Sequence, residues 1–133
     1  MKSLTSTNLT KKAIKLIEGK NFAYLATLLP DGSPHVTPMW IDRDGDTVLM
    51  NTAIGRVKQR NITRDPRVSI TVTDSENPYD RIVIHGRVID QAKEGADAHI
   101  DKLAKKYTDA NKYQKASLDE KRIIIRIEPL RIV

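Results

Sequence analysis

The sequence has no cysteine among its 133 residues. Disulfide bonds, thiolate nucleophiles and thiolate metal sites are therefore excluded. No uninterrupted apolar run approaches the ~20 residues that a membrane-spanning helix needs. The first residues also lack the apolar segment of a secretory signal peptide. We therefore expect a cytoplasmic protein without a membrane partner.

Aromatic residues are scarce, since they make up 5% of the chain with one Trp and one Phe. The formal net charge of +6 favours an anionic partner. Proteins that bind single-stranded nucleic acid usually stack the bases on several aromatic rings. The composition therefore argues against nucleic acid as a partner and favours a small anionic ligand.

The sequence also lacks the common catalytic and metal-binding patterns. His35, His85 and His99 lie on separate predicted elements without the spacing of metal ligands, so we expect no metal site. No serine lies in a nucleophile elbow, and no phosphate-binding loop of the Walker type is present. No catalytic residue can therefore be named from the sequence.

The residue pattern predicts alternating helices and strands. Helical spacing predicts helices at residues 8–18, 56–64 and 93–107. Asn8 or Thr10 is the expected N-cap of the first helix, and Gly19 is expected to end it. Apolar runs predict six strands, at 22–29, 35–41, 47–52, 68–73, 82–89 and 122–127. Tight turns at 30–33 and 42–46 imply antiparallel pairing, and residues 130–133 form an apolar tail. We therefore predict one domain, residues 1–133, mainly β with flanking helices, in a six-stranded closed or nearly closed barrel.

The most informative segment follows the third predicted strand. Asn51 and Thr52 end this strand, Gly55 makes a turn, and Arg56 and Lys58 begin a short basic helix. A strand end, a glycine turn and a helix start present backbone N–H groups that favour an anion. The segment therefore predicts a binding site for the phosphate of a cofactor, although a solvated basic helix face is the alternative.

A second feature is the proline within the second predicted strand. Pro38 cannot donate to a strand ladder, so it marks a bulge, an edge or a place where a ligand approaches. Met39 and Trp40 follow it directly. These two side chains are candidates for a ligand platform, with ordinary core packing as the alternative.

Two segments carry a resemblance to a known family. Residues 22–40 and 55–68 resemble the opening hairpin and the phosphate segment of the pyridoxamine-5'-phosphate-oxidase-like, FMN-binding split-barrel proteins. The motifs Thr37-Pro38-Met39-Trp40 and Arg64-Asp65-Pro66-Arg67-Val68 are most similar to the deazaflavin (F-420)-dependent reductases of that family. The C-terminal substrate-binding segment of pyridoxamine-phosphate oxidase itself is not found.

The resemblance implies a homodimer with the cofactor at the subunit interface. The ring would lie near Thr37, Pro38, Met39 and Trp40, the phosphate would meet Asn51, Thr52, Arg56 and Lys58, and Asn61 would support the loop. It also implies, more weakly, that Tyr79, Arg81 or Arg126 of the second subunit completes the site.

The resemblance implies an oxidoreductase that transfers a hydride between coenzyme F-420 (8-hydroxy-5-deazaflavin) and a small electron-poor organic substrate. FMN is the alternative cofactor, which would make the protein an FMN-dependent oxidase or reductase. The alternative from another class is a non-enzymatic cofactor carrier or a basic nucleic-acid-binding module. Residues 74–80 and 108–120 are the loops in which we expect substrate specificity to lie.

Overall fold

The computed structural model describes residues 5–133. The helices are α1 (Lys11–Glu18), α2 (Val57–Arg64) and α3 (Ala96–Thr108). The strands are β1 (Ala23–Leu28), β2 (Pro34–Met39), β3 (Asp42–Asp44), β4 (Thr47–Ala53), β5 (Arg67–Thr73), β6 (Arg81–Ala92) and β7 (Arg122–Ile132). Within this part of the chain, no helix is long and apolar enough to cross a membrane.

All seven strands belong to one antiparallel sheet with the order β2-β1-β5-β6-β7-β4-β3. The predicted mainly β, antiparallel architecture is therefore confirmed. The two edge strands, β2 and β3, are not paired with each other in residues 5–133, so the sheet stays open along one side.

The predicted number of six strands is wrong, because Asp42–Asp44 forms a strand instead of part of a loop. Asp42 pairs with Leu49, and Asp44 pairs with Thr47. The polar composition of this segment suggested a turn, but β3 lies at the sheet edge, where polar side chains reach solvent. The turn itself is shorter and centres on Gly45, whose φ is 60°.

The last strand is also longer than predicted, since β7 continues through most of the expected apolar tail. Its register against β6 shifts twice, and Pro129 pairs with Gly86. A Cβ atom at Gly86 would lie 2.8 Å from the carbonyl oxygen of Glu128. Glycine is therefore needed there, because any side chain would force the two strands apart.

Helix α1 packs against the sheet. It begins after Thr10, whose side-chain oxygen accepts a hydrogen bond from the Ala13 N–H, and it ends at Gly19, as predicted. Its buried face packs on β3, β5 and β6, which are not all neighbours in the sheet. The helix therefore closes the main core, which contains the inward side chains of β1, β4, β5, β6 and β7.

Helix α3 packs on a different part of the sheet, against β4 and β7. Its residues Ile100, Leu103 and Tyr107 form a second apolar cluster with Trp40 and Tyr113. This cluster is distinct from the main core. The space beside it, between α3, the end of β2 and the start of α2, is the candidate site.

Candidate functional site

A cleft of about 220 Å³ lies between the end of β2, strands β4 and β7, and helix α3. Three cationic side chains line what we call the cationic half: Arg56, Lys58 and Arg122. Three aromatic side chains line the aromatic half: Phe22, Trp40 and Tyr113. Pro38, Met39, Asn51, Ile100 and Leu103 complete the lining. One cleft therefore combines positive charge with planar apolar surface.

Six of the nine residues predicted from the sequence line this cleft: Pro38, Met39, Trp40, Asn51, Arg56 and Lys58. The structure places the other three elsewhere. Thr52 is fully buried within β4, and the hydroxyl oxygens of Thr37 and Thr52 are buried without a hydrogen-bond partner in residues 5–133.

Asn61 lies behind the phosphate segment, in the second turn of α2. Its Nδ2 donates to Thr27 Oγ1 of β1 over 3.0 Å, and its Oδ1 accepts from Arg64 Nη2 over 2.9 Å. Arg64 in turn donates to the carbonyl oxygen of Leu28. These contacts fasten α2 to β1, so Asn61 lies behind the phosphate segment and outside the cleft.

The backbone around Gly55 forms the expected turn, with a φ of 95° at the glycine. Its N–H groups are, however, already bonded within the chain. The Ile54 N–H donates to Lys121 O, the Gly55 N–H to Gln59 Oε1 and the Arg56 N–H to Ala53 O. These three donors are thus not available to an anion. No side chain caps the start of α2, so an anion there would meet the first N–H groups of the helix as well as the cationic side chains.

The cationic half carries more positive charge than its own carboxylate balances. Lys58 makes no hydrogen bond or ion pair within residues 5–133 that would neutralise it. Its partial burial, and then the charges of Arg56 and Arg122, lower the pKa of Lys58 below its usual value. Cations held this close together stabilise a bound anion.

Arg122 is the most enclosed of the three cations, with 5% of its surface exposed. Its Nε donates to Asn51 Oδ1 over 2.9 Å, and its Nη1 donates to Glu120 Oε2 over 3.1 Å. The guanidinium carbon also lies 4.7 Å from the centre of the Tyr113 ring. Burial opposes ionisation of Glu120, but the Ala116 N–H and the Arg122 charge outweigh it and lower the pKa of that carboxyl group.

A chain of hydrogen bonds runs from Arg122 to the surface. Asn51 Nδ2 donates to Ala96 O over 2.9 Å and lies 3.1 Å from His99 Nδ1. His99 Nε2 lies 3.1 Å from Asp42 Oδ2, which also accepts from Lys102. Despite its burial, Asp42 keeps a pKa well below the usual range, because His99, the Arg43 N–H and Lys102 all favour its ionised form.

The aromatic half is built by ring packing. Trp40 stacks on Tyr107 with ring centres 5.4 Å apart, and Tyr113 meets Trp40 edge-on at 6.5 Å. Tyr107 is fixed in turn, because its hydroxyl donates to Asn21 O and accepts from the Ile41 N–H. Phe22 stands beside Tyr107 at the mouth and is 51% exposed.

The comparisons with known proteins agree with this architecture. The family model for Pyridoxamine 5'-phosphate oxidase matches residues 9–133. The chain belongs to this family. The predicted resemblance is thereby confirmed, together with the split-barrel type of fold, and the family is one of flavin-binding oxidoreductases.

Among solved structures, one named F420 Reductase is 31% identical over 94% of this chain and 98% of that chain, with a TM-score of 0.82. A conserved hypothetical protein from Mycobacterium tuberculosis is 24% identical over 99% of this chain and 88% of its own, with a TM-score of 0.70. General Stress Protein 26 from Bacillus anthracis is 18% identical over 92% of this chain and 89% of its own, with a TM-score of 0.67. The last two likenesses show the fold alone.

Within this member of the pyridoxamine 5'-phosphate oxidase family, the sequence did not predict three cleft residues, Phe22, Tyr113 and Arg122, or His99, which lies behind the cleft against Asn51. Phe22 was assigned only to a strand, Tyr113 to an exposed connection, Arg122 to a strand start and His99 to a helix without a role. The one local signal was the single arginine at the head of the apolar segment Ile123, Ile124 and Ile125. That arginine becomes interpretable only with the pairing of Arg122 with Ala53 across β4 and β7.

Proposed function

We propose that this protein is a deazaflavin-dependent oxidoreductase that transfers a hydride between coenzyme F-420 and a small electron-poor organic substrate. The observation that carries the proposal is the cleft in which Arg56, Lys58 and Arg122 lie beside the aromatic side chains of Phe22, Trp40 and Tyr113. The 31% identity with a protein named F420 Reductase supports the choice of cofactor.

The side chains of the cleft fit a phosphorylated cofactor with a planar ring. Lys58, which lacks a partner in the described residues, and Arg56 would neutralise the phosphate. Pro38, Met39 and Trp40 would hold the ring and exclude water from one of its faces. When bound, the deazaflavin supplies the hydride chemistry, and the chain's contribution is to bind, orient and shield it.

A neighbouring hollow of about 220 Å³ favours F-420 over FMN. It shares Arg122 with the cleft, and its other cationic side chains are Lys93, Lys115 and Lys121, against Asp97 and Glu120. F-420 differs from FMN in its longer, anionic glutamate tail. A second positive surface beside the phosphate position suits such a tail, since FMN has no group that reaches beyond its phosphate.

We also propose that the protein is a homodimer in which the second subunit completes the site. The cleft is smaller than the ~300–1,000 Å³ of typical small-molecule sites, so one chain does not enclose a cofactor. Tyr24 and Val36 are 41% and 58% exposed on the outer face of β1 and β2, and Tyr24 pairs with the cleft residue Pro38. An exposed apolar surface that runs into the cleft is typical of an interface.

The test is a fluorescence titration of the cofactor-free protein with F-420 and, separately, with FMN. We expect micromolar or tighter binding of F-420 and much weaker binding of FMN. Tight binding of FMN alone would move the assignment to an FMN-dependent oxidase or reductase. Binding of neither would overturn the proposal, and a monomer by sedimentation with cofactor bound would overturn the interface site.

Turnover is tested separately from binding. Reduced F-420 is incubated with the protein and a panel of enones and quinones, and its reoxidation is followed by absorbance. Multiple turnovers with any acceptor support an enzyme. Tight binding with no reoxidation across the panel would instead favour a cofactor carrier.

A further inference from the structure

One nitrogen of the Arg122 guanidinium makes no hydrogen bond within the described residues. Nε bonds to Asn51 and Nη1 bonds to Glu120 and lies 3.5 Å from the Tyr113 hydroxyl, whereas Nη2 has no partner within residues 5–133. The side chain is 97% enclosed, with 3% of its surface exposed, and it lines the cleft. Nη2 is not among the fully buried atoms that lack a partner, so it keeps some solvent contact and can meet an acceptor.

The orientation of this guanidinium depends on which way the Asn51 amide points. Asn51 Oδ1 must face Arg122, because Arg122 can only donate. Asn51 Nδ2 then offers its two hydrogens to Ala96 O and to His99 Nδ1. His99 Nδ1 is therefore the acceptor, and the ring proton lies on Nε2, where it is donated to Asp42 Oδ2.

We propose that His99 is a positioning residue that, through Asn51, holds the Arg122 guanidinium with its free Nη2 available to an anionic group in the cleft. Without the acceptor at His99 Nδ1, one of the three hydrogen bonds that fix the Asn51 amide is lost, and Asn51 Nδ2 keeps only Ala96 O. The Asn51 amide, and with it the Arg122 guanidinium, is then held less firmly. The identity of the anion as the cofactor phosphate rests on the proposed function, whereas the positioning of Arg122 does not.

Two substitutions of His99 test the hydrogen bonds of its two ring nitrogens, Nδ1 and Nε2, separately. His99→Asn carries an oxygen one bond beyond Cγ, as Nδ1 is in histidine, so it keeps an acceptor for Asn51 and loses the bond to Asp42. His99→Gln carries its amide nitrogen two bonds beyond Cγ, as Nε2 is, so it keeps the bond to Asp42 and loses the acceptor for Asn51. Both variants remove the same ring, which makes each the control for the other.

The first readout is the F-420 dissociation constant of each variant. The thermal midpoint of unfolding is measured alongside it. We expect His99→Gln to weaken binding by about tenfold, since a charged donor loses its orientation. We expect His99→Asn to stay within about twofold of the unchanged protein. His85→Gln, whose histidine contacts Ser69 on another part of the sheet, is the matched control and should bind normally. Equal losses in His99→Asn and His99→Gln would overturn the proposal.

The second readout needs no cofactor. Nitrogen-15 NMR should show His99 protonated on Nε2 alone, and a slowly exchanging Arg122 Nε–H that persists in His99→Asn and exchanges faster in His99→Gln. A proton on Nδ1 at neutral pH, or an Arg122 signal unaffected by His99→Gln, would overturn the positioning role. If the protein binds no F-420 while these signals behave as expected, the proposed function fails and the positioning of Arg122 stands.

Discussion

In the cationic half of the cleft, Arg122 is oriented by hydrogen bonds to Asn51 and Glu120, and each of these partners is itself bonded to further groups. In the aromatic half, Trp40 is oriented by stacking on Tyr107 and by the edge of Tyr113. The two halves adjoin where Arg122 lies over the Tyr113 ring. Directional hydrogen bonds therefore hold Arg122, and ring packing holds Trp40.

The difference matters for how each half responds to change. A hydrogen-bonded charge depends on each partner, because removal of one leaves the other buried without compensation. A packed ring loses contact area in proportion to the atoms removed, and its neighbours relax to fill part of the gap. We therefore expect single substitutions to have larger effects in the cationic half.

The largest expected effect is on stability, for Arg122→Leu. The Arg122 and Glu120 side chains are 3% and 5% exposed, and the substitution leaves the Glu120 carboxylate buried with less compensation. The free energy of unfolding should fall by about 3 kcal/mol, measured by urea denaturation. Adding Glu120→Gln should recover a large part of this loss, because the uncompensated charge is gone. A single variant within about 1 kcal/mol of the unchanged protein would show that Arg122 is not held as described.

Some parts of the fold and of the cleft could be predicted from the sequence, whereas the position of Arg122 could not. Local patterns were enough for α1, with Asn8 or Thr10 as its cap, and for the Gly55 turn, because each depends on neighbours in the chain. They also pointed to Trp40 and Lys58, and both residues line the cleft. Strand β3 was missed, since its polar residues look like a turn until the sheet edge is known.

The chain of hydrogen bonds beside the cleft could not be predicted from local sequence patterns. It joins residues 42, 51, 99 and 122, which lie on β3, β4, α3 and β7. Each link needs the register of β4 against β7 or the placement of α3 on the sheet. No short-range spacing encodes either of these, so the positions of Arg122 and His99 follow only from the fold.

The second prediction concerns Tyr107, which supports the aromatic half. Burial raises the pKa of Tyr107 to about 12, from 10.0, while the Ile41 N–H acts in the opposite direction and Asp42 adds to the rise. Below pH 10 the phenol is neutral in both the folded and the unfolded chain. Between pH 10 and 12 only the unfolded chain releases the proton, so stability falls by about 2–3 kcal/mol across this window.

Urea denaturation at several pH values measures this loss, with Tyr107→Phe as the control. The variant is less stable at neutral pH, because it loses the bonds to Asn21 and Ile41, but it should lack the part of the alkaline loss that Tyr107 causes. Parallel pH curves for the two proteins would contradict the assignment.

The third prediction separates charge from stability at Lys58. Lys58→Ala should weaken F-420 binding by roughly thirtyfold, as expected when a charge-assisted contact is lost. Stability should stay the same or rise slightly, since the lowered pKa of Lys58 shows that its charge is disfavoured in the folded chain. Lys102→Ala, which removes an exposed lysine paired with Asp42, is the control and should bind F-420 normally. Unchanged F-420 affinity in Lys58→Ala would show that the cofactor phosphate does not contact Lys58.

The smallest expected effect is for Trp40→Leu in the aromatic half. Leucine keeps an apolar surface but removes the stacked plane, so F-420 binding should weaken by about fivefold, which corresponds to the loss of an aromatic pair.

The salt dependence of F-420 binding distinguishes the two halves of the cleft more sharply than the affinity does. Raising the salt from about 0.05 M to about 0.5 M screens the cationic half and should weaken binding in the unchanged protein and in Trp40→Leu to the same degree, but less in Lys58→Ala. If Trp40→Leu lost its salt dependence instead, the ring and the charges would not act separately, because displacement of Tyr113 would have moved Arg122 as well.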